Sequence, residues 1–476
     1  MKRRDFFRSS TLATISTALV DPWQLRTESL LQKTGRAKNI IFLVSDGMST
    51  GTLNMADLLR QRKEGRSSHW LGLYRDNRVH RALMDTASAS SLVTDSAAAS
   101  SAWGGGVRVP NGSLNVGANG ETYEPILQTF KKAGKAVGCV TTVPITHATP
   151  AGFCVASKSR GSMAAIAEQY LELRFDVMMG GGSEQFSAEG RADKKDVFAQ
   201  FDTQGYQVAR NRDAMLQFRA GKPALGVFHS DGLPYALDRA QSPDLQKTIP
   251  TLAEMTRTAI ELMRGNPKGF VLQVEGGKVD WAAHANDLAA LLYDQLAFDD
   301  AVGEAIQFAE QDQETLIVVT TDHGNANPGL LSGSAASRQF DSLHTVKHTN
   351  EWVLKGISKE TTAGQLIERL EAAQGIVLKA DEANRLLAQF TSLDETGIYN
   401  PNKLPYRQLA GLQTAHTSVG WAGMDHTADF VELAILGPGV STPGNFTRDS
   451  MSMPALVKNT DLHTLMLQAT GVNKGR

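Results

Sequence analysis

The stretch Phe270-Val-Leu-Gln-Val-Glu275-Gly-Gly-Lys-Val-Asp280-Trp-Ala-Ala-His284 decides how the rest of the chain is read. Phe270 to Val274 is a short, largely apolar run of the kind buried on both faces of a parallel sheet, and a helical pattern follows from near Asn286. Glu275 therefore stands at the carboxyl end of a buried strand, where open α/β sheets place their ligands. Asp280 and His284 are four apart, so within the first turn of a helix they share a face and can bind one ion. Gly276 and Gly277 let the backbone turn sharply behind Glu275. Taken alone, the stretch fits an acidic loop with a capping Asp and a solvated His equally well.

The surrounding chain repeats the pattern. Asn39 to Val44 is a buried strand ending in Ser45-Asp46-Gly47-Met48, and Thr315 to Thr320 is another, ending in Thr321-Asp322-His323-Gly324. Three strands thus deliver acidic residues at their ends, which capping alone does not explain. Ala136 to Thr142 reads as a further strand leading to Pro144-Ile-Thr-His147-Ala-Thr149-Pro150, and Asp176 to Gly182 and Ala224 to His229 repeat the strand-then-glycine form. Helices are expected over Thr122 to Ala133, over Thr251 to Met263 with its stripe of Leu252, Met255, Ala259, Ile260 and Met263, through Leu288, Leu292 and Leu296, and near Asp461 to Thr470. A strand over Phe430 to Leu436 follows Asp425-His426-Thr427. This alternation predicts an α/β fold, with a large, mostly parallel central sheet carrying helices on both faces. Residues 36–476 read as one catalytic domain. Residues 328–414 are more polar and charged, with an amphipathic helix near Ala363 to Ala373, and read as an inserted smaller subdomain over one edge of the core.

Composition narrows the class. Of 476 residues, 41% are hydrophobic and 21% charged, with a formal net charge of -2, so nothing points to a nucleic-acid or membrane partner. Cys139 and Cys154 are the only cysteines, neither at metal-site spacing; they are readable as a pair or as two reduced buried thiols. Residues 1–20 carry a basic head, Lys2-Arg3-Arg4-Asp5-Phe6-Phe7-Arg8, and a short apolar body, Thr11 to Val20. They resemble a twin-arginine export signal, which implies a periplasmic or extracellular location and leaves a mature chain with a charge of -5 once four basic residues and one acidic residue are removed. No other segment is apolar enough to span a bilayer. The sequence does not set the oligomeric state, and a homodimer is the assembly left open.

Two further residues stand out. Ser96, in Thr94-Asp95-Ser96-Ala97, meets the start of an alanine-rich helix, where unpaired N–H groups and the positive dipole end favour a bound anion and an ionised oxygen. Arg160 offers a planar fork suited to two phosphate oxygens. In isolation Asp95 or Ser96 as a helix cap accounts for the first equally well, and a surface arginine is the more ordinary reading of the second.

Together these residues resemble the alkaline phosphatase family from about Asn39 to the last helix. The resemblance rests on Asp46-Gly-Met, Thr94-Asp-Ser96-Ala, His147-Ala-Thr149-Pro with Arg160, Glu275-x4-Asp280-x3-His284, Thr321-Asp322-His323 and His426-Thr427, all in family order. It implies one zinc ion on Asp280, His284 and His426, and a second on Asp322, His323 and Asp46. It implies a third metal, magnesium, on Asp46, Thr149 and Glu275. Ser96 is the implied nucleophile, forming a phosphoserine, and Arg160 the implied clamp on a phosphate monoester. His147 and Trp281 fall where the family varies, His147 where some members have Asp and Trp281 where others have Lys or His; both are expected near the phosphate and the third metal. A sulfatase would need a Cys or Ser in a Cys/Ser-x-Pro-x-Arg setting, whereas Ser96 is followed by three alanines. A zinc- or phosphate-binding protein without turnover would have no need for Ser96.

Overall fold

Alternate residues of the strand Asn39–Val44 enter different cores: Ile40, Phe42 and Val44 pack on one face of the sheet, Ile41 and Leu43 on the other. The strands Phe270–Glu275 and Thr315–Thr320 divide in the same way, which is why their sequences are apolar throughout rather than alternating. On the first face Phe42 meets Trp103 and Phe153 at ring-centroid distances of 5.0 and 4.9 Å. On the second, Trp70 and Phe298 cross edge-on at 6.2 Å. Each of these buried side chains contributes roughly 1.5–3 kcal/mol, so the two faces anchor the centre of the sheet independently.

This computed structural model describes residues 35–390, 403–439 and 453–473, and the basic-headed stretch 1–20 lies outside them. Ten strands form one sheet, in the order Leu456–Lys458, His80–Asp85, Val431–Leu436, Thr315–Thr320, Asn39–Val44, Phe270–Glu275, Ala136–Pro144, Val177–Gly181, Ala224–Val227 and Gln207–Ala209. Only Val431–Leu436 runs against its neighbours. Helices cover both faces, as expected for an α/β/α sandwich. No helix among the described residues is long and apolar enough to cross a membrane.

Two boundaries differ from the sequence reading. The helix expected over Thr122 to Ala133 spans Ile126–Lys132, because Pro125 holds the chain extended up to the helix start. The helical pattern after Glu275 is two helices, Lys278–His284 and Leu288–Asp312, parted at Asn286, whose φ is +47°. Asp287 caps the second helix by accepting from the Ala290 N–H at 3.1 Å. The break leaves Asp280 and His284 on a short helix of their own, directly above the sheet.

Within residues 328–414, the helices Asn350–Lys355, Ala363–Gln374, Ala380–Gln389 and the start of Tyr406–Thr417 share an apolar cluster of their own around Val353, Leu366, Leu370, Leu386 and Leu409. The short strands Gly329–Leu330 and Val419–Gly420 pair antiparallel at its base.

Candidate active site

Four adjacent strands bring the site together. Register pairs Val44 with both Glu275 and Thr320, and Thr141 with Glu275, so Asp46, Glu275, Asp322 and the loop bearing His147 and Thr149 leave one edge of the sheet side by side. His426 reaches that edge because the strand after it, Val431–Leu436, is the antiparallel one and enters the sheet there. Gly47 has a φ of +66°, and a Cβ there would stand 2.5 Å from Asp280 Oδ1, so only glycine lets the Asp46 turn approach the helix that bears Asp280.

Ser96 is the first residue of the helix Ser96–Gly105, and Asp95 is its cap, accepting from the Ala98 N–H at 2.9 Å. This helix crosses Ala148–Cys154 so closely that a Cβ on Gly104 would stand 1.9 Å from the Gly152 carbonyl oxygen. The close crossing ties the elements bearing Ser96 and Thr149 to each other.

Asp46, Ser96, Thr149, Glu275, Asp280, Asp322 and His323 are all completely buried. Ser96 Oγ lies 3.2 Å from His323 Nε2. His323 Nε2 is in turn 3.1 Å from Asp322 Oδ2 and 3.5 Å from Asp46 Oδ1. Asp280 Oδ1 lies 3.4 Å from His284 Nε2 and 3.5 Å from His426 Nε2. Thr149 donates to Asp46 at 3.1 Å, and Thr141 donates to Glu275 through a short hydrogen bond.

The imidazoles reveal what the arrangement lacks. His284 Nδ1 faces the Met424 carbonyl at 2.5 Å and His426 Nδ1 the Thr94 carbonyl at 2.9 Å; a carbonyl only accepts, so both Nδ1 atoms carry the proton. In the neutral rings both Nε2 atoms then present lone pairs, and they point at each other across 3.1 Å. Two facing lone pairs repel, and a shared cation removes the conflict. The carboxylates agree: among the described residues, Asp46 Oδ1, Glu275 Oε1, Asp280 Oδ2 and Asp322 Oδ2 are buried without a hydrogen-bond partner.

Charge adds to this. Burial and then the neighbouring Asp322, Asp280 and Glu275 push the Asp46 pKa far up, and burial raises Glu275 to about 7. Burial opposes ionisation of Asp280 as well, yet positive charge at His284 and His426 holds it below the usual carboxylate range, a charge that protons supply on the imidazoles and that a shared cation supplies where the rings are neutral. Ligand atoms from three sets lie within 4.8 Å of one another: Asp280, His284 and His426; Asp46, Asp280 and His323; and Asp46, His147 and Glu275. Imidazole with carboxylate suits zinc, while a hydroxyl with carboxylates suits magnesium.

Arg160 donates to Asp95 Oδ2 at 3.0 Å through Nη1 and lies 3.1 Å from His147 Nε2 through Nη2. Burial, with Arg160 next, lowers the His147 pKa to about 3, so the ring is neutral and accepts from the guanidinium. The Trp281 ring stands edge-on to His147 at 6.1 Å. Asp95, His147, Arg160, Trp281 and His426 all line one cavity of about 810 Å³.

The family model for alkaline phosphatase matches residues 37–470. The chain belongs to the alkaline phosphatase family. Among curated relatives, alkaline phosphatase 4 of Bacillus subtilis is 28% identical over 414 residues, covering 86% of this chain and 85% of its own. Alkaline phosphatase H of Pseudomonas aeruginosa is 31% identical over 372 residues, covering 69% of this chain and 77% of its own. The crystal structure of Thermus thermophilus alkaline phosphatase superposes with a TM-score of 0.84 at 31% identity, covering 96% of each chain.

Several supporting residues escaped the sequence reading. Asp95 fixes Arg160 as well as capping the helix, Thr141 holds Glu275, and Asn325 donates to Asp280 Oδ1 at 2.7 Å. His147, expected near the phosphate and the third metal, stands among the third set of ligand atoms and beside Arg160. Thr141 becomes visible only once strand order is known, since its partner is 134 residues away.

Proposed function

We propose that this alkaline phosphatase family member hydrolyses phosphate monoesters to an alcohol and inorganic phosphate through a phosphoserine on Ser96, with two zinc ions and one magnesium ion as cofactors. The observation that carries this reading is Ser96 Oγ, 3.2 Å from His323 Nε2, at a helix start that opens onto the imidazole and carboxylate cluster. Asp280, His284 and His426 would hold one zinc, and Asp46, Asp322 and His323 the other. Asp46, Thr149 and Glu275 would hold magnesium, with His147 within reach of the same ion. Bound metal supplies Lewis acidity, which favours an ionised serine oxygen and neutralises charge on the departing alcohol.

The protein's own groups do the rest. Ser96 Oγ attacks phosphorus in line, the ester P–O bond breaks and the alcohol leaves; water then attacks the phosphoserine phosphorus, restoring Ser96 and releasing phosphate. The positive end of the helix Ser96–Gly105 stabilises charge at Ser96. Asp95 keeps the Arg160 fork facing the cavity, where it grips two non-bridging oxygens. The test is phosphate release from a chromogenic monoester with and without a chelator, with mass spectrometry for phospho-Ser96 after an acid quench. Chelator-resistant turnover, or no phosphorylated peptide, would sink this reading.

Residues 1–20 we read as a twin-arginine signal that directs the chain out of the cytoplasm. Replacing Arg3 and Arg4 with Lys keeps the charge and should stop export; unchanged delivery would exclude that route. Residues 328–414 we read as an insertion that shapes the entrance, because Glu351, Lys355 and Tyr406 line the same cavity as Arg160.

A further inference from the structure

The cavity is far larger than a phosphate group. Its volume of about 810 Å³ falls in the range that holds whole small molecules, roughly 300–1,000 Å³. His147, Arg160 and His426 contribute to its wall, and so does a second group, Tyr235, Lys278, Glu351, Lys355 and Tyr406, with Trp281 near members of both.

Lys278 is the unusual member of that second group. Its side chain is 4% exposed, and its ammonium sits 3.7 Å from the centre of the Tyr235 ring and 4.6 Å from that of Trp281. These rings attract the charge but accept no conventional hydrogen bond. Among the described residues, Lys278 Nζ has no hydrogen-bond acceptor and no carboxylate within 4.0 Å. Glu351, which lines the same cavity, is already engaged by Lys355 at 2.7 Å. The lysine stem is packed in the wall while its ammonium opens on the cavity, where an acceptor on a bound molecule would meet it. Gly232 keeps this wall close, since a Cβ there would stand 2.7 Å from the Trp281 ring and 3.4 Å from Lys278 Cδ.

The Trp281 ring is 6.1 Å from the His147 ring, which in turn touches Arg160, and 4.6 Å from the Lys278 ammonium. A phosphate held by Arg160 and an acceptor held by Lys278 therefore share the one cavity that Trp281 also lines. We propose that Lys278 is a specificity-determining residue that selects phosphate monoesters whose alcohol part carries a carboxylate. This rests on the phosphatase reading of Ser96 and Arg160 and adds to it the class of alcohol that is favoured.

The probes are 4-carboxyphenyl phosphate and phenyl phosphate, which differ only in the carboxylate. The ratio of their kcat/KM values is compared between wild type, Lys278→Met and Lys278→Arg, so that intrinsic leaving-group reactivity cancels. Lys278→Met should lower the ratio about tenfold or more, the usual effect of losing a hydrogen bond to a charged group, while Lys278→Arg should retain most of it. An unchanged ratio in Lys278→Met, or an equal fall in both variants, overturns the proposal. If Lys278→Met does not fold, inhibition of wild-type phenyl phosphate turnover decides: 4-hydroxybenzoate must inhibit about tenfold more tightly than phenol, and equal inhibition overturns the proposal. Failure of the wild type to hydrolyse either ester would overturn the phosphatase reading itself, and this inference with it.

Discussion

Two buried polar clusters in this molecule follow opposite rules. Among the helices of residues 328–414, Asn350, Gln374 and Gln413 form a closed amide network: Asn350 donates to Gln413 at 2.9 Å, Gln374 donates to Asn350 at 2.9 Å, and Gln413 donates to Asn350 and Gln374 at 2.7 and 2.6 Å. Their side-chain oxygens and nitrogens are all used within the network and its surroundings. At the sheet edge, four carboxylate oxygens lack donors and two imidazole lone pairs face each other at 3.1 Å. The amide cluster is complete as it folds, whereas the edge cluster is complete only with cations. Self-satisfaction marks a structural network, and organised dissatisfaction marks a site.

The largest effect should come from Ser96→Ala. It removes the proposed nucleophile and no proposed metal ligand, so kcat should fall on the order of 10³-fold or more while zinc content, measured by atomic emission, stays near that of the wild type. Near-wild-type turnover would mean that water attacks the ester directly. Asp280→Ala and His426→Ala should come next, lowering bound zinc and rate together by more than the ~10–100-fold that loss of an outer-sphere partner costs. Full zinc occupancy in either variant would remove that residue from the ligand set.

Gln413→Ala tests the other cluster. It strands the Asn350 and Gln374 amides, so denaturant unfolding should show a loss of about 1–3 kcal/mol, with kcat/KM and zinc content unchanged. A fall in zinc content would show that the two clusters are coupled. The smallest effect concerns Asp294, a buried carboxylate outside both clusters, which accepts one hydrogen bond, from the Ala236 N–H at 3.0 Å. Burial raises its pKa to about 7 from an ordinary 3.8, so the native state keeps a proton that the unfolded chain releases. Its contribution is therefore fully present below the unfolded pKa and is lost as pH rises to about 7. Asp294→Asn keeps an acceptor for Ala236 and removes this loss. The Tm difference between variant and wild type should grow between pH 4 and pH 7, and a flat difference would mean that Asp294 ionises normally.

Much of this was readable from the residues. Three buried strands ending in Asp46, Glu275 and Asp322 predicted both the parallel sheet and the edge that carries the site, because strand burial and ligand position follow from local pattern. What stayed hidden depended on strand order. The pairing of Thr141 with Glu275, and the entry of His426 from the one antiparallel strand, are long-range facts that no local period encodes. Asp95 looked like a helix cap and is one, yet its second oxygen holds Arg160, and a single residue type satisfies both roles. Lys278 and its neighbour Trp281 sit inside the motif that led to the site, but the second ring against the ammonium, Tyr235, is far from them in sequence.

The central claim is that the unsatisfied atoms at the sheet edge are metal ligands. Anomalous scattering above and below the zinc edge, from crystals of the zinc-loaded protein, tests it most directly. Two zinc peaks should appear, one bounded by Asp280, His284 and His426 and one by Asp46, Asp322 and His323, with Ser96 Oγ beside the second. A difference map without zinc at either position, with the His284 and His426 rings still facing each other, would contradict it.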